Sequence, residues 1–252
     1  MRKQIVLIMG QCGSGKTTTV NRLLDEEWNT CAFDTGTYLP FIKRYRKIED
    51  CVMEDSFEPY LRKRNSDVHL VGSEIDENLV LKQELEEEIT WDVIASKESG
   101  KRLREDVGEL IFVDLMGIGD TLLTNNHYYN VYKAFLLQAT DILWITDATS
   151  RRYTEDELCL QNIKDSIGLG CRVVVGINKA DSISLSRGGT FSAGRPTSEQ
   201  MKALVERRTL VYNVFSNALH PVGLKTESVK LFSAKTGWNF NSLQECFFVT
   251  KQ

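Results

Sequence analysis

The octapeptide Gly10-Gln11-Cys12-Gly13-Ser14-Gly15-Lys16-Thr17 constrains this chain more than any other feature. It satisfies G-x-x-x-x-G-K-[ST] in full, after the apolar run Ile5–Met9 and before a helical pattern over Lys16–Glu27. A strand, a glycine-rich loop and a helix in that order make a cradle for phosphate. The loop turns successive backbone N–H groups inward, and the helix adds the positive end of its dipole. Gly10, Gly13, Ser14 and Gly15 shape the cradle and Lys16 reaches the outer phosphates. Thr17, with Thr18 beside it, offers a hydroxyl for Mg²⁺. The motif predicts a nucleoside triphosphate and leaves the base open. A chance glycine-rich turn is the bland alternative, and the flanking strand and helix weigh against it.

Apolar runs of strand length alternate with helical patterns along the rest of the chain. The spacing predicts strands at Gln4–Met9, Leu110–Asp114, Ile142–Asp147, Arg172–Asn178 and Val229–Phe232. Each is rich in Val, Ile, Leu or Phe, as strands buried on both faces require. Helices are predicted at Lys16–Glu27, Asn126–Gln138, Glu155–Ile167, Ser198–Leu219 and Asn241–Val249. The expected fold is α/β of the P-loop NTPase type, a mostly parallel sheet flanked by helices on both faces. Thr37–Gly108 breaks the rhythm with charged segments, a helix-like Glu77–Glu88 and a strand-like Ile89–Ala95. It carries too little apolar material for its own core, so it reads as a switch I region plus an insertion within a single domain spanning 1–252. Ser182–Thr197, rich in Gly, Ser and Arg, reads as a surface loop.

Composition narrows the partners. A net charge of -4 and a pI near 5.6 argue against nucleic acid as the main one, because phosphate binding rests on excess Lys and Arg. The basic runs Lys43–Lys47 and Arg62–Arg64 have acidic residues beside them and read as solvated faces, ahead of phosphate or lipid contacts. Six scattered cysteines without pairing or metal-ligand spacing fit reduced thiols in the cytoplasm. Met1-Arg2-Lys3 followed by Ile5–Met9 imitates a secretory leader but is too short for one, and no run approaches the ~20 apolar residues of a membrane span.

Three further elements stand at predicted strand ends. Asn178-Lys179-Ala180-Asp181 follows a strand at the end where open α/β sheets bind ligands. A carboxylate there can accept from N1–H and the exocyclic N2 of guanine, a donor pair that adenine lacks. Ser233-Ala234-Lys235 follows the last strand, with backbone N–H groups for the guanine O6 and a lysine stem to cover the base. Asp114-Leu115-Met116-Gly117 supplies D-x-x-G: Asp114 holds the Mg²⁺ shell through water, and the Gly117 N–H senses the γ-phosphate. Lys16, Gly117 and a switch I threonine would carry the chemistry. Thr35 and Thr37 both qualify, and Thr37, which would also meet Mg²⁺, is preferred over a purely polar turn.

In this order, Gly10–Thr17, Asp114–Gly117, Asn178–Asp181 and Ser233–Lys235 resemble the translation-factor-like GTPases over nearly the whole chain except Tyr38–Glu109. Asp114–Asp120 is similar to the D-x-P-G-I-G turn of Era-like and immunity-related GTPases, with Met116 in place of proline. Tyr128-Tyr129-x-x-Tyr132, Asp141–Ala148, Arg151, Asp156-Glu157 and Gly237-Trp238-Asn239 resemble bacterial, often prophage-borne, members. The resemblance implies GTP and GDP as ligands, Mg²⁺ as cofactor, and hydrolysis that drives a nucleotide-controlled switch. Ile118 stands where small signalling GTPases place a water-orienting glutamine, so turnover is expected to be slow and to need another group, from the same chain, a second copy across the nucleotide face or a partner. Arg151 and Arg152 read as surface charges ahead of such a cross-dimer group. Gly13 occupies the place of the K⁺-binding asparagine of some relatives and argues against K⁺ activation. The rival reading is a catalytically weak, septin-like or pseudo-GTPase binding module; the effector is open.

Overall fold

The computed structural model describes residues 2–23, 104, 106–115, 117–118, 132–133, 135–183, 191 and 194–250, with the strands Phe41–Arg46, Trp91–Ile94 and Lys101–Arg102. Thr35, Thr37, Met116, the helix-like Glu77–Glu88 and most of the 37–108 stretch lie outside the described residues.

Strands β1 (Arg2–Met9), β2 (Phe41–Arg46), β3 (Trp91–Ile94), β5 (Val107–Asp114), β6 (Asp141–Asp147), β7 (Arg172–Asn178) and β8 (Val229–Leu231) form one sheet in the order β3-β2-β5-β1-β6-β7-β8. From β5 to β8 every pairing is parallel, whereas β2 runs antiparallel to β5. The five predicted strands are all present, within three residues at their starts and one at their ends. β2 was not legible, because Lys43, Arg44 and Arg46 signal solvent; its backbone is recruited by the free edge of β5, with Ile42 opposite Val113.

Alternation along β1 explains the layers. Leu7 and Met9 join Ile142, Trp144, Val175 and Ile177 on one face. Cys159, Leu160 and Ile163 of α2 (Thr154–Ile163) and Leu204, Val211 and Phe215 of α3 (Ser198–Ala218) cover that face. Val6 and Ile8 turn to the other face with Phe112, Leu143, Ile145 and Phe232, under Val20 and Leu23 of α1 (Lys16–Leu23). The helices therefore lie on both faces, as expected. Thr197 starts α3 with a capping box: its hydroxyl accepts from the Gln200 N–H while the Gln200 side chain accepts from the Thr197 N–H.

Two helix predictions need correction. The helix expected to reach Ile167 ends at Ile163 and tightens into a 3₁₀ turn over Lys164–Ser166. The helix expected over Asn241–Val249 is one turn, α4 (Asn241–Gln244). Phe247 and Phe248 then both pack on Phe112, at 5.7 and 6.3 Å between ring centroids, and β9 (Val249–Thr250) pairs antiparallel with β4 (Lys101–Arg102). Two adjacent buried aromatics lie roughly 100° apart around a helix, so anchoring both on one strand favours leaving the helical path.

Candidate functional site

Because β1, β5, β6, β7 and β8 are parallel, their C-terminal ends share one edge of the sheet, and every predicted motif of the described residues sits there. Gly10 follows β1, Asp114 closes β5, Asn178 closes β7 and Ser233 stands two residues after β8. The loop Gly10–Gly15 runs directly into α1. Lys16 is buried and its Nζ donates to the carbonyls of Gly10 and Gln11 at 3.2 and 3.0 Å. Thr17 Oγ1 donates to Asp114 Oδ2 at 2.6 Å, bringing together two hard oxygen donors that lie 97 residues apart in sequence. Thr18 is exposed.

Gly117 lies against the cradle, where a Cβ would come within 2.6 Å of Cys12 Cα. The Cys12 N–H donates to the Ile118 carbonyl at 2.8 Å, and the Ile118 N–H to the Gly10 carbonyl at 3.2 Å. Ile118 is itself buried in the core cluster with Leu7, Met9 and Trp144. The residue after the D-x-x-G glycine therefore packs into the core.

Asn178 ties the phosphate end to the base end. Its Nδ2 donates to the Ser14 carbonyl at 3.0 Å and its Oδ1 accepts from the Ala234 N–H at 2.9 Å. Lys179 takes a left-handed conformation (φ 58°) and its Nζ pairs with Asp147 Oδ2 at 2.7 Å. Asp181 is 6% exposed, and its Oδ1 has no hydrogen-bond partner among the described residues. The buried Ser14 hydroxyl is likewise unmatched. Both atoms lie at the edge of the sheet where the strands end. The O6 expectation narrows: the Ser233 N–H donates to Trp238 and the Ala234 N–H to Asn178, so among the described residues the Lys235 N–H is the one of the three left for a base. Lys235 is exposed at the rim, and so are Arg151 and Arg152.

Sequence reasoning missed Arg22, an exposed residue on the last turn of α1. Its Nη1 donates to the Ala234 and Lys235 carbonyls at 2.8 and 3.3 Å, and its guanidinium lies 5.5 Å from the Phe240 ring centroid. It also missed the bond from Gln11 Nε2 to the buried Asp156 at 2.8 Å. A basic residue ending a helix and an acidic one starting it look like ordinary dipole partners, so no local signal separates either from its neighbours. Arg22→Ala is expected to lower the melting midpoint by about 2–4 °C, one exposed charge-assisted clasp being worth ~1 kcal/mol. It should also weaken GDP binding severalfold in calorimetry. Unchanged affinity would mean that Asn178 alone holds the Ser233–Lys235 loop.

Cradle, D-x-x-G glycine, Asn178–Asp181 and Ser233–Lys235, gathered on one edge of this sheet, define a P-loop GTPase domain. The model of the dynamin family matches residues 6–180, and the chain belongs to that family. No curated protein sequence matches it. Among solved structures it is similar to a variant of Era from Aquifex aeolicus bound to GDP.AlF4-, with 18% identity and a TM-score of 0.54 over 100% of this chain and 59% of that one. Toc33 from Arabidopsis thaliana with Mg²⁺ and GMPPNP is 14% identical, with a TM-score of 0.54 over 97% of this chain and 83% of that one. A dimerization-deficient mutant of Toc33 is 13% identical at the same TM-score, over 100% and 88%. The chain spans 59% of the length of the Era structures it matches. Among the described residues no helix is long and apolar enough to cross a membrane.

Proposed function

We propose that this chain binds Mg²⁺·GTP and hydrolyses it slowly, working as a nucleotide-controlled switch. The observation that carries this is the buried, unmatched Asp181 Oδ1, held beside an Asn178 that joins the cradle to the Ser233–Lys235 loop. Asp181 would accept from the guanine N1–H and N2, donors that an adenine does not present, and the Lys235 N–H would donate to O6. Lys16 would exchange its two loop carbonyls for phosphate oxygens, which accept more strongly because they are charged. Thr17 and Asp114 fit Mg²⁺, an ion that takes few protein oxygens and keeps several waters. When bound, the ion would neutralise charge on the phosphates. Thr37 belongs to the same proposal as the switch I ligand, with Lys16 and the Gly117 N–H stabilising charge on the departing phosphate.

Ile118 gives no water-orienting group, so turnover would depend on a second copy across the nucleotide face or on a partner. Toc33, similar in fold, is described with a dimerization-deficient mutant, and that pairing is proposed here only by analogy. The scattered cysteines support a cytoplasmic setting. The second reading is a binding module with negligible turnover, and the buried Ile118 is the observation in its favour.

Calorimetry with Mg²⁺ should give tight GDP and GTP binding and at least ~100-fold weaker ATP binding, a donor-pair mismatch at a buried carboxylate costing about 3 kcal/mol. Equal ATP affinity would remove the guanine reading. Phosphate release per molecule should then rise with protein concentration. A flat, near-zero rate at every concentration would favour the binding module.

A further inference from the structure

Asp156 has no exposed surface, although it is a carboxylate in the first turn of α2. Trp144 Nε1 donates to its Oδ1 at 2.6 Å, while Gln11 Nε2 and Thr146 Oγ1 donate to its Oδ2 at 2.8 and 3.4 Å. All three donors are neutral. Burying a carboxylate with no ion-pair partner among the described residues is costly.

One of the three donors belongs to the cradle. The Gln11 carbonyl accepts from Lys16, and the residues on either side of Gln11 bond to Ile118. Through a single side chain, the Asp156 carboxylate therefore pins the segment to which both Lys16 and the Gly117–Ile118 segment beyond β5 are attached.

We propose that Asp156 is a positioning residue of the nucleotide site: by holding Gln11, it fixes Gly10–Cys12 in the geometry that receives phosphate. This rests on the reading of Gly10–Thr17 as a nucleotide cradle. Among the described residues, few charged or titratable groups surround Asp156. Lys16 of α1 favours its ionised form and Glu155 of its own helix opposes it. The Tyr153 hydroxyl, with Asp147 at the end of β6 and Arg207 of α3 near it, lies in the same patch. Burial outweighs these and pushes the carboxyl up to about 7. Phosphate charge in the cradle would oppose the ionised form further and draw Lys16 away. Binding would then take up a proton near neutral pH, and affinity would rise as pH falls toward about 7 and level off below it.

GDP with Mg²⁺ titrated into wild type, Gln11→Ala and Asp156→Asn between about pH 6 and 8 tests this, with melting curves alongside. Gln11 is only half-buried, so Gln11→Ala should fold; losing one bond to a charged group should weaken GDP about tenfold. In Asp156→Asn the Gln11 amide can flip and accept from the new amide, so affinity should stay within about threefold. The nucleotide's own titration is common to all three proteins, so the flatter pH dependence expected of Asp156→Asn reports Asp156 alone. Wild-type affinity in Gln11→Ala, or identical pH slopes in wild type and Asp156→Asn, would overturn the proposal. A wild type that binds neither guanine nor adenine nucleotide would overturn the reading of the cradle itself.

Discussion

Asp181→Asn is expected to convert a guanine site into a xanthine site. The Asp181 carboxylate is nearly inaccessible and carries an unmatched Oδ1, so it is poised to take both guanine donors. An asparagine keeps one acceptor and points an NH₂ at the second donor, which leaves two hydrogens facing each other in a buried pocket. Xanthine places a carbonyl where guanine has its exocyclic amine, and that carbonyl accepts from the new NH₂. GDP affinity should fall at least ~100-fold and XDP affinity should rise to meet it, one unmatched buried pair costing about 3 kcal/mol. Without nucleotide the variant should melt no lower than wild type, because the exchanged carboxylate has an oxygen with no hydrogen-bond partner among the described residues. Competition between GDP and XDP for the two proteins checks this, and retention of the guanine preference would mean that another group reads the base.

The largest loss of stability is expected at Gly10. It sits at φ 133°, a conformation that L side chains rarely adopt, and a Cβ there would fall on the Ile145 carbonyl oxygen. Relief would require β1 to move away from β6, to which Val6–Met9 are paired residue by residue with Asp141–Trp144. Gly10→Ala should therefore cost more than ~4 kcal/mol and lower the melting midpoint by about 10 °C or more. Gly13 supplies the contrast: φ 72°, with no atom within 4 Å of the added Cβ. Gly13→Ala should cost only the left-handed strain, about 1–2 kcal/mol. Calorimetric melting of both in the absence of nucleotide separates them, and equal midpoints would mean that the β1–β6 contact is softer than its geometry.

Much of the site was readable because each motif is local. Gly10–Thr17 needs only a strand before it and a helix after it, and both patterns are continuous with the motif. The same holds for Asp114, Asn178 and Ser233, each written next to the apolar run that becomes its strand. β2 shows where such reading stops, since a basic segment becomes a strand only once the edge of β5 is there to pair with it. The end of the chain shows it again: Phe247 and Phe248 suit a helix until Phe112 offers both a common surface.

The sequence by itself determined that this chain has a P-loop motif between a strand and a helix, that its sheet is mostly parallel, and that the residues proposed to read the base stand at strand ends. These are properties of order and short spacing, set by backbone geometry within a few residues. Tertiary structure alone decided how the parts are joined. Asn178 links Ser14 to Ala234, Arg22 clasps the Ala234 and Lys235 carbonyls, and Asp156 holds Gln11 across 145 residues of sequence. A side chain's partner at that separation depends on which strands pair and which helix face packs inward. Burial, which turns an ordinary helix-start aspartate into an anchor for the cradle, exists only once the layers have closed.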